Sequence, residues 1–417
     1  MVRAATETSS ERERSPFTTV SPPRRRNTMT TQDATNSLYL QTPGETFDYL
    51  DDLRRNCPVS WDPILRGYLV TKFDDVYNVM FDNARFRLQA RPEEQYQEHQ
   101  PKGRVRTFNH LLSLKNIQPR LQSVVQAEID LLIDAKAPTG HMEVYDDFAE
   151  KLPAHIIGLF FGLDRADFPL LLSYRRARHA LFNSPPDAED IARTAREEQR
   201  KMESRMAEVI ADHRANPVDD LLTQLIEMTE DGAPLTDEQI VTIVARDLLM
   251  AGSETVTNSI CNAVYRMLTI PGLYDKLVAD PSLVPAFVEE ALRFDPPVQI
   301  FWRATEEDVE ISGCPIAKDT QLYTSIASAN RDPEVFSEPK VFDLTRPKGK
   351  HITFSVGLHK CPGHFLARYE LEMSIASLLS RLPNLRIDPD AEQPQYVGVA
   401  LRNWGPIHLL FDAPKGD

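Results

Sequence analysis

The chain has 417 residues, with 47 Lys and Arg against 62 Asp and Glu, and a formal charge of −15. That excess of acid argues against nucleic acid or an anionic membrane as the partner of the whole surface. At 41 % hydrophobic and 26 % charged the composition is that of a globular protein with apolar mass for a large core, and no run of about 18 apolar residues offers a membrane-spanning helix. Four cysteines, Cys57, Cys261, Cys314 and Cys361, stand far apart with no Cys-x-x-Cys pair. This argues against a zinc site or an iron–sulfur cluster, and it suits a reducing compartment such as the cytoplasm.

Residues 1–36 are rich in Ser, Thr, Pro and Arg and nearly free of apolar periodicity, so they read as a disordered tail ahead of one large domain over 37–417. The Arg24-Arg25-Arg26 run in that tail is either an interaction element or simply solvated, and Met29 is an alternative start. No apolar segment of signal-peptide type is present there. Helical spacing begins at Thr46, with Phe47, Leu50 and Leu53 on one face. Residues 59–61 and 68–71 read as short strands about a turn at Gly67, and 74–80 as a helix. The stretch 86–107 is polar, holds Pro92 and Pro101 and lacks a period, which predicts a long loop of the kind that carries function. Helices are predicted over 111–133, 146–161, 166–181, 187–213 and 219–227, with Pro and Asn at the corners.

The longest uninterrupted helical pattern covers 236–268 and opens on a capping box of Thr236 and Gln239. At 1.5 Å per residue it spans roughly 50 Å, enough to cross a domain of this size. Ala251-Gly252-Ser253-Glu254-Thr255 breaks its apolar character. Gly252 lets the helix open or bend there, and the Thr255 hydroxyl can turn onto a carbonyl of its own helix. An acid beside a hydroxyl makes a short proton path through water; taken alone, the pair is also what a solvated Glu and a space-filling Thr look like. A helix over 283–293 follows, stopped by Asp295-Pro296-Pro297, then strands at 309–311 and 321–326, an irregular stretch over 330–350, and a last hairpin over 395–411. The expected fold class is mainly α with a small β region, a single large domain with one long helix through the core.

The irregular stretch delivers the chain to Phe354-Ser355-Val356-Gly357-Leu358-His359-Lys360-Cys361-Pro362-Gly363, directly before a segment of helical periodicity. A cysteine in that place has backbone N–H groups and a helix N-terminus to stabilise its thiolate, and a lone thiolate is a strong ligand for iron. Gly357 allows a bulky planar ligand to approach, Gly363 permits a tight turn, Phe354 offers a ring to shield the sulfur and His359 a donor on the same turn. The pattern Phe-x-x-Gly-x-His-x-Cys-x-Gly resembles the haem-ligand loop of the cytochrome P450 family. Three more motifs match in order: Ala-Gly-x-Glu-Thr at 251–255, Glu-x-x-Arg at Glu290 and Arg293, and Asn330-Arg331-Asp332-Pro333. The resemblance runs from about Thr46 to Phe411 and is to the bacterial type without a membrane anchor.

The resemblance implies haem b, iron protoporphyrin IX, ligated by Cys361. It implies proton delivery by Glu254 and Thr255, contact of Ala251 with the cofactor, and propionate contacts from Arg303 and His359, whose donors suit carboxylates. A second propionate anchor, usually His or Trp followed four residues later by Arg, falls here on Arg106-Thr107-Phe108-Asn109-His110 with the two types exchanged, so Arg106 and His110 are both candidates. Glu290 and Arg293, completed by Arg346, resemble the family's structural ion pair. By position, Val244, Leu248, Val298, Ile300 and Leu401 wall the substrate pocket. Electrons are expected from an external ferredoxin or flavodoxin with its reductase, docking on basic residues such as Lys115, Arg120, Lys360 and Arg368. The activity implied is insertion of one atom of O2 into a small apolar or aromatic substrate, by hydroxylation or oxidative dealkylation. The alternatives are a peroxide-driven oxidase and a haem protein that binds without turnover.

Overall fold

Periodicity and punctuation in the sequence account for most elements of the computed structural model, which describes residues 37–42, 45–88, 104–185, 188–230 and 232–413. The tail expected over 1–36, with Arg24, Arg25, Arg26 and Met29, lies outside the described residues, as does 89–103 of the polar loop. Leu50 and Leu53 are buried on one face of α1 (Thr46–Asn56). The hairpin of β1 (Val59–Asp62) and β2 (Gly67–Val70) leads to α2 (Phe73–Phe81) and β3 (Phe86–Leu88), so the predicted loop begins as a strand. It ends as a helix, α3 (Arg104–Leu111).

The long helix predicted over 111–133 is three pieces: α4 (Leu114–Arg120), a π-helical turn at Leu121–Gln126 and α5 (Ala127–Asp134). Pro119 lies inside α4 and cannot donate to the helical ladder, so the wider turn follows it. After β4 (His141–Glu143) and a π-helical stretch at Tyr145–Ala149, α6 (Lys151–Phe160) carries Pro153 in its first turn, and the Ala149 carbonyl oxygen that lacks its helical donor there accepts from Thr257 Oγ1 at 2.8 Å. Then come α7 (Phe168–Asn183), α8 (Glu189–Ala215), α9 (Leu221–Glu227) and the two-residue strands β5 (Thr229–Glu230) and β6 (Ala233–Pro234).

The central helix departs from expectation. Its capping box is present, but the run divides into α10 (Asp237–Val241), a π-helical stretch at Thr242–Leu248, α11 (Leu249–Ala251) and α12 (Glu254–Thr269). Gly252 and Ser253 form the break. A Cβ at Gly252 would lie 2.9 Å from the Leu248 carbonyl oxygen and 3.0 Å from Ile157, so only glycine lets α6 pack this close. Val256, Ile260, Val264 and Met267 of α12 then sink into the main core.

Beyond it lie α13 (Leu273–Ala279), α14 (Val284–Phe294), β7 (Ile300–Thr305), the hairpin of β8 (Val309–Ile311) and β9 (Cys314–Ile316), β10 (Gln321–Ser325) and α15 (Ile326–Ala329). The last elements are α16 (His364–Arg381), β11 (Arg386–Ile387), β12 (Gln395–Val397), β13 (Asn403–Gly405) and β14 (His408–Leu410). One five-stranded sheet runs β1-β2-β10-β7-β3, parallel only between β2 and β10. The hairpin predicted over 395–411 is corrected: β12 pairs with β13, whereas β14 leaves them to lie between β11 and β4. Its partner β4 is some 260 residues earlier in the chain, as the register His408 to Glu143 shows, and local pattern cannot reveal such a pairing. Among the described residues no helix is long and apolar enough to cross a membrane.

Candidate functional site

Cys361 ends a turn that is tied down on both sides. Its N–H donates to the Phe354 carbonyl oxygen at 2.8 Å, closing the loop, and Gly357–His359 form a short 3-10 turn inside it. α16 starts three residues later, and the Gly363 N–H is directed at the sulfur. Burial pushes the thiol up to about 11, against the pull of that N–H and of Arg368 and Lys360. The two glycines also meet constraints from the protein itself. Gly357 has φ +66, and a Cβ there would meet the Phe81 ring at 3.1 Å and its Cα at 3.3 Å, so the crowding comes from α2. Gly363 lies in the turn before α16 with an ordinary φ of −85, and a Cβ there would lie 4.0 Å from Sγ of Cys361.

Behind the turn the chain is held by charge. Arg293 bonds both oxygens of Glu290 at 2.8 and 2.6 Å, and Arg346 adds a contact at 3.1 Å. Arg293 also donates to the Asn330 carbonyl oxygen at 3.0 Å, and the Asn330 side chain spans Ile352 and Thr353, the two residues before Phe354. The Glu-x-x-Arg pair therefore acts as scaffold for the cysteine turn. A second clamp joins Glu289 to Arg368, whose guanidinium lies 4.3 Å from the Phe354 ring centroid. All four cysteines are free.

Arg303 on β7 is 1 % exposed, yet its guanidinium makes one bond, to the Trp302 carbonyl oxygen at 2.8 Å, and its Nε has no partner among the described residues. Burial without an acid pulls its pKa down to about 10. A buried cation in this state fits an incoming carboxylate. His359 is half-buried on the 3-10 turn. Arg106 and His110 are both exposed on α3 and lack that enclosure.

At the helix break the side chains divide. Ala251 is exposed and Thr255 half-buried in the middle of a helix that is otherwise sunk in the core, so the helix faces open space here. Thr255 Oγ1 donates to the Ala251 carbonyl oxygen at 3.0 Å, the bond its position allowed. Glu254 does not join it. The carboxylate, 1 % exposed, turns to α7, where Arg175 lies 2.9 Å from Oε2 and His179 Nδ1 contacts Oε1. Burial alone would raise the Glu254 carboxyl, but Arg175 and His179 reverse this and hold it below the usual range. Arg175 is itself fully enclosed, bonded to Thr257, Tyr145 and Glu150. Sequence reading missed Arg175, His179 and Asn183. The signal available was a polar i, i+4, i+8 row on a helix whose other face is apolar.

The residues expected to wall the pocket differ in burial. Val298 and Leu401 meet in an isolated β-bridge, and with Leu248 they retain slight exposure, as lining residues do. Val244 and Ile300 are wholly enclosed, and Ile300 packs with Leu50, Leu69 and Tyr323. Of the expected docking cations, Lys115 and Lys360 are exposed, whereas Arg120 is engaged by Asp219 and Arg368 by Glu289.

A mainly helical fold with a small sheet, a clamped cysteine turn opening the helix α16, and a broken helix facing open space define the class of haem-thiolate proteins. The sequence profile of the cytochrome P450 family matches residues 171–401. Cytochrome P450 109 of Bacillus spizizenii is 32 % identical over 80 % of this chain and 84 % of its own length. Cytochrome P450 CYP107DY1 of Priestia megaterium is 30 % identical over 72 % of this chain and 70 % of its own. The ligand-free structure of cytochrome P450 TbtJ1 superposes with a TM-score of 0.79 at 28 % identity, covering 89 % of this chain and 98 % of that one. The chain belongs to the cytochrome P450 family, and it is a haem-dependent monooxygenase of the bacterial type.

Proposed function

We propose that the protein inserts one oxygen atom from O2 into a small apolar or aromatic compound, by hydroxylation or oxidative dealkylation, with haem b ligated by Cys361. The reading rests above all on the Cys361 turn, clamped to Phe354 and opening α16. When bound, haem held by the Cys361 thiolate would supply the activation of O2. The protein's own residues do the rest. Arg303 and His359 take the propionates, with Arg106 or His110 as the further donor. Phe354 shields the sulfur, and Ala251, Gly357 and Gly363 leave room for the cofactor. Leu248, Val298 and Leu401 hold the substrate and exclude water. The Thr255 hydroxyl, on the open side of the helix, passes protons inward; Glu254 is their source once it turns from α7.

Electrons come from an external ferredoxin or flavodoxin with its reductase. Support comes from the surface around the cysteine turn, where Phe81, Leu358 and Phe365 are 55 %, 57 % and 43 % exposed beside the lysine Lys360. An apolar centre with a basic rim suits an acidic carrier. The four free cysteines support a cytoplasmic location. The test is the spectrum of the reduced protein under carbon monoxide: a thiolate-shifted haem band is expected in the wild type and its loss in Cys361→Ser. An unshifted band in the wild type refutes the assignment. Product with a reductase pair but not with peroxide alone separates the monooxygenase from a peroxide-driven oxidase.

A further inference from the structure

The three residues missed by sequence reading continue beyond Glu254. Asn183 Oδ1 accepts two backbone N–H groups, from Val399 at 2.8 Å and Leu401 at 3.1 Å. Two donors on one oxygen fix the orientation of the amide, so its NH2 end is the one that lies 3.1 Å from His179 Nε2. An NH2 group can only donate; one hydrogen has the His179 carbonyl oxygen at 3.4 Å, and the shorter contact at 3.1 Å makes Nε2 an acceptor without a proton. The proton of the neutral ring is then on Nδ1, directed at Glu254 Oε1. The wall segment is shaped for this contact: Gly398 has φ +94, and a Cβ there would lie 3.2 Å from Asn183 Oδ1 and closer still to the Leu401 carbonyl oxygen. The charged groups facing the ring are Glu254 on α12 and Arg175 one turn earlier on α7, with Glu150, Arg176 and the Tyr145 hydroxyl behind Arg175.

We infer that Asn183 and His179 form a latch that ties the pocket wall at 399–401 to the Glu254 carboxylate, so that displacement of the wall by a bound substrate removes one of the acid's two ties to α7 and leaves Arg175 as the other. Both are positioning residues. While Val399 and Leu401 hold the amide, His179 is a fixed donor and Glu254 stays turned from Thr255. When the wall moves, the amide can rotate and turn its oxygen to the ring; the ring proton then exchanges through water to Nε2, Nδ1 no longer donates, and Glu254 keeps only Arg175 on α7. The consequence for turnover rests on the monooxygenase reading; the tautomer does not.

The experiment uses the full-length ferrous carbon monoxide complex, which is diamagnetic, labelled with 15N-histidine. The chain has 10 histidines, and His179 is assigned by the signal lost in His179→Gln. Two-bond spectra of the wild type should show the ring proton on Nδ1 and a bare Nε2. In Asn183→Asp the oxygen bonded to the wall is kept but the other end becomes an acceptor, so Nε2 should gain a proton. A wild-type proton on Nε2, or an unchanged ring in Asn183→Asp, overturns the latch. Saturation with a compound that shifts the haem band should remove the fixed Nδ1 signal; a ring that does not respond also overturns it. Asn183→Leu, with the thiolate-type spectrum retained as a check on folding, should raise reductant consumption without substrate by at least about 5-fold, the low end of ordinary coupling between sites. If the tautomers are as stated but no compound is oxygenated, the monooxygenase reading fails and the latch stands.

Discussion

Arg293 and Arg303 lie ten residues apart and are equally buried, at 2 % and 1 % exposure, yet the fold treats them in opposite ways. Arg293 bonds both oxygens of Glu290 and the carbonyl oxygens of Asn330, Pro339 and Val341. Among the described residues Arg303 has a single carbonyl partner and a bare Nε. A buried cation that its surroundings satisfy is scaffold, and one that they leave wanting marks where an anion is to be received.

The sharpest way to break this contrast is to truncate each arginine. Arg293→Ala leaves the buried Glu290 with Arg346 as its one remaining cation among the described residues, and should lower stability by about 3 kcal/mol in urea unfolding, with or without haem. Arg303→Ala removes an unpaired cation, so the haem-free protein should be no less stable, while transfer of haem to a scavenger should become easier by about 2–5 kcal/mol. Equal losses for the two variants in the haem-free state would erase the distinction. A third test concerns the clamp beside the scaffold. Burial would raise Glu289, but His351 and Arg368 outweigh it and bring it from 4.5 to about 2. Because the folded value is the lower one, the stabilisation is present above pH 4.5 and is lost as pH falls toward 2. Glu289→Gln should therefore flatten the acid limb of a stability profile, removing about 3 kcal/mol at neutral pH. The smallest effect is expected at the surface: Lys360→Glu should slow reduction by an acidic carrier at low salt, with a cost of about 1 kcal/mol that fades as salt rises. Equal reduction rates for Lys360→Glu and wild type at low salt would remove this lysine from the docking surface.

Much of this was legible beforehand, and for identifiable reasons. The cysteine turn, the Ala-Gly-x-Glu-Thr segment and Glu290 with Arg293 are local patterns in which each residue type answers to a nearby partner: a carbonyl one turn back for Thr255, a carboxylate three residues away for Arg293. Arg303 was legible as a type, but its isolation could be seen only once β3 and β10 enclosed it on either side. Ile300 was expected in a pocket wall only by its position in the family pattern; which way a strand residue faces depends on what the sheet packs against, and Ile300 packs with Leu50, Leu69 and Tyr323.

From the amino-acid order alone came the helical character, the single thiolate on a turn ahead of a helix, and the family to which both belong, because these rest on periodicity, turn chemistry and short motifs. Folding in three dimensions decided that the central helix breaks at Gly252, that β14 joins a strand from the first half of the chain, and that Glu254 faces Arg175 and His179 instead of Thr255. The physical reason is that burial removes water as a partner: each polar group must then find another wherever the fold brings one, and sequence distance has no part in that choice.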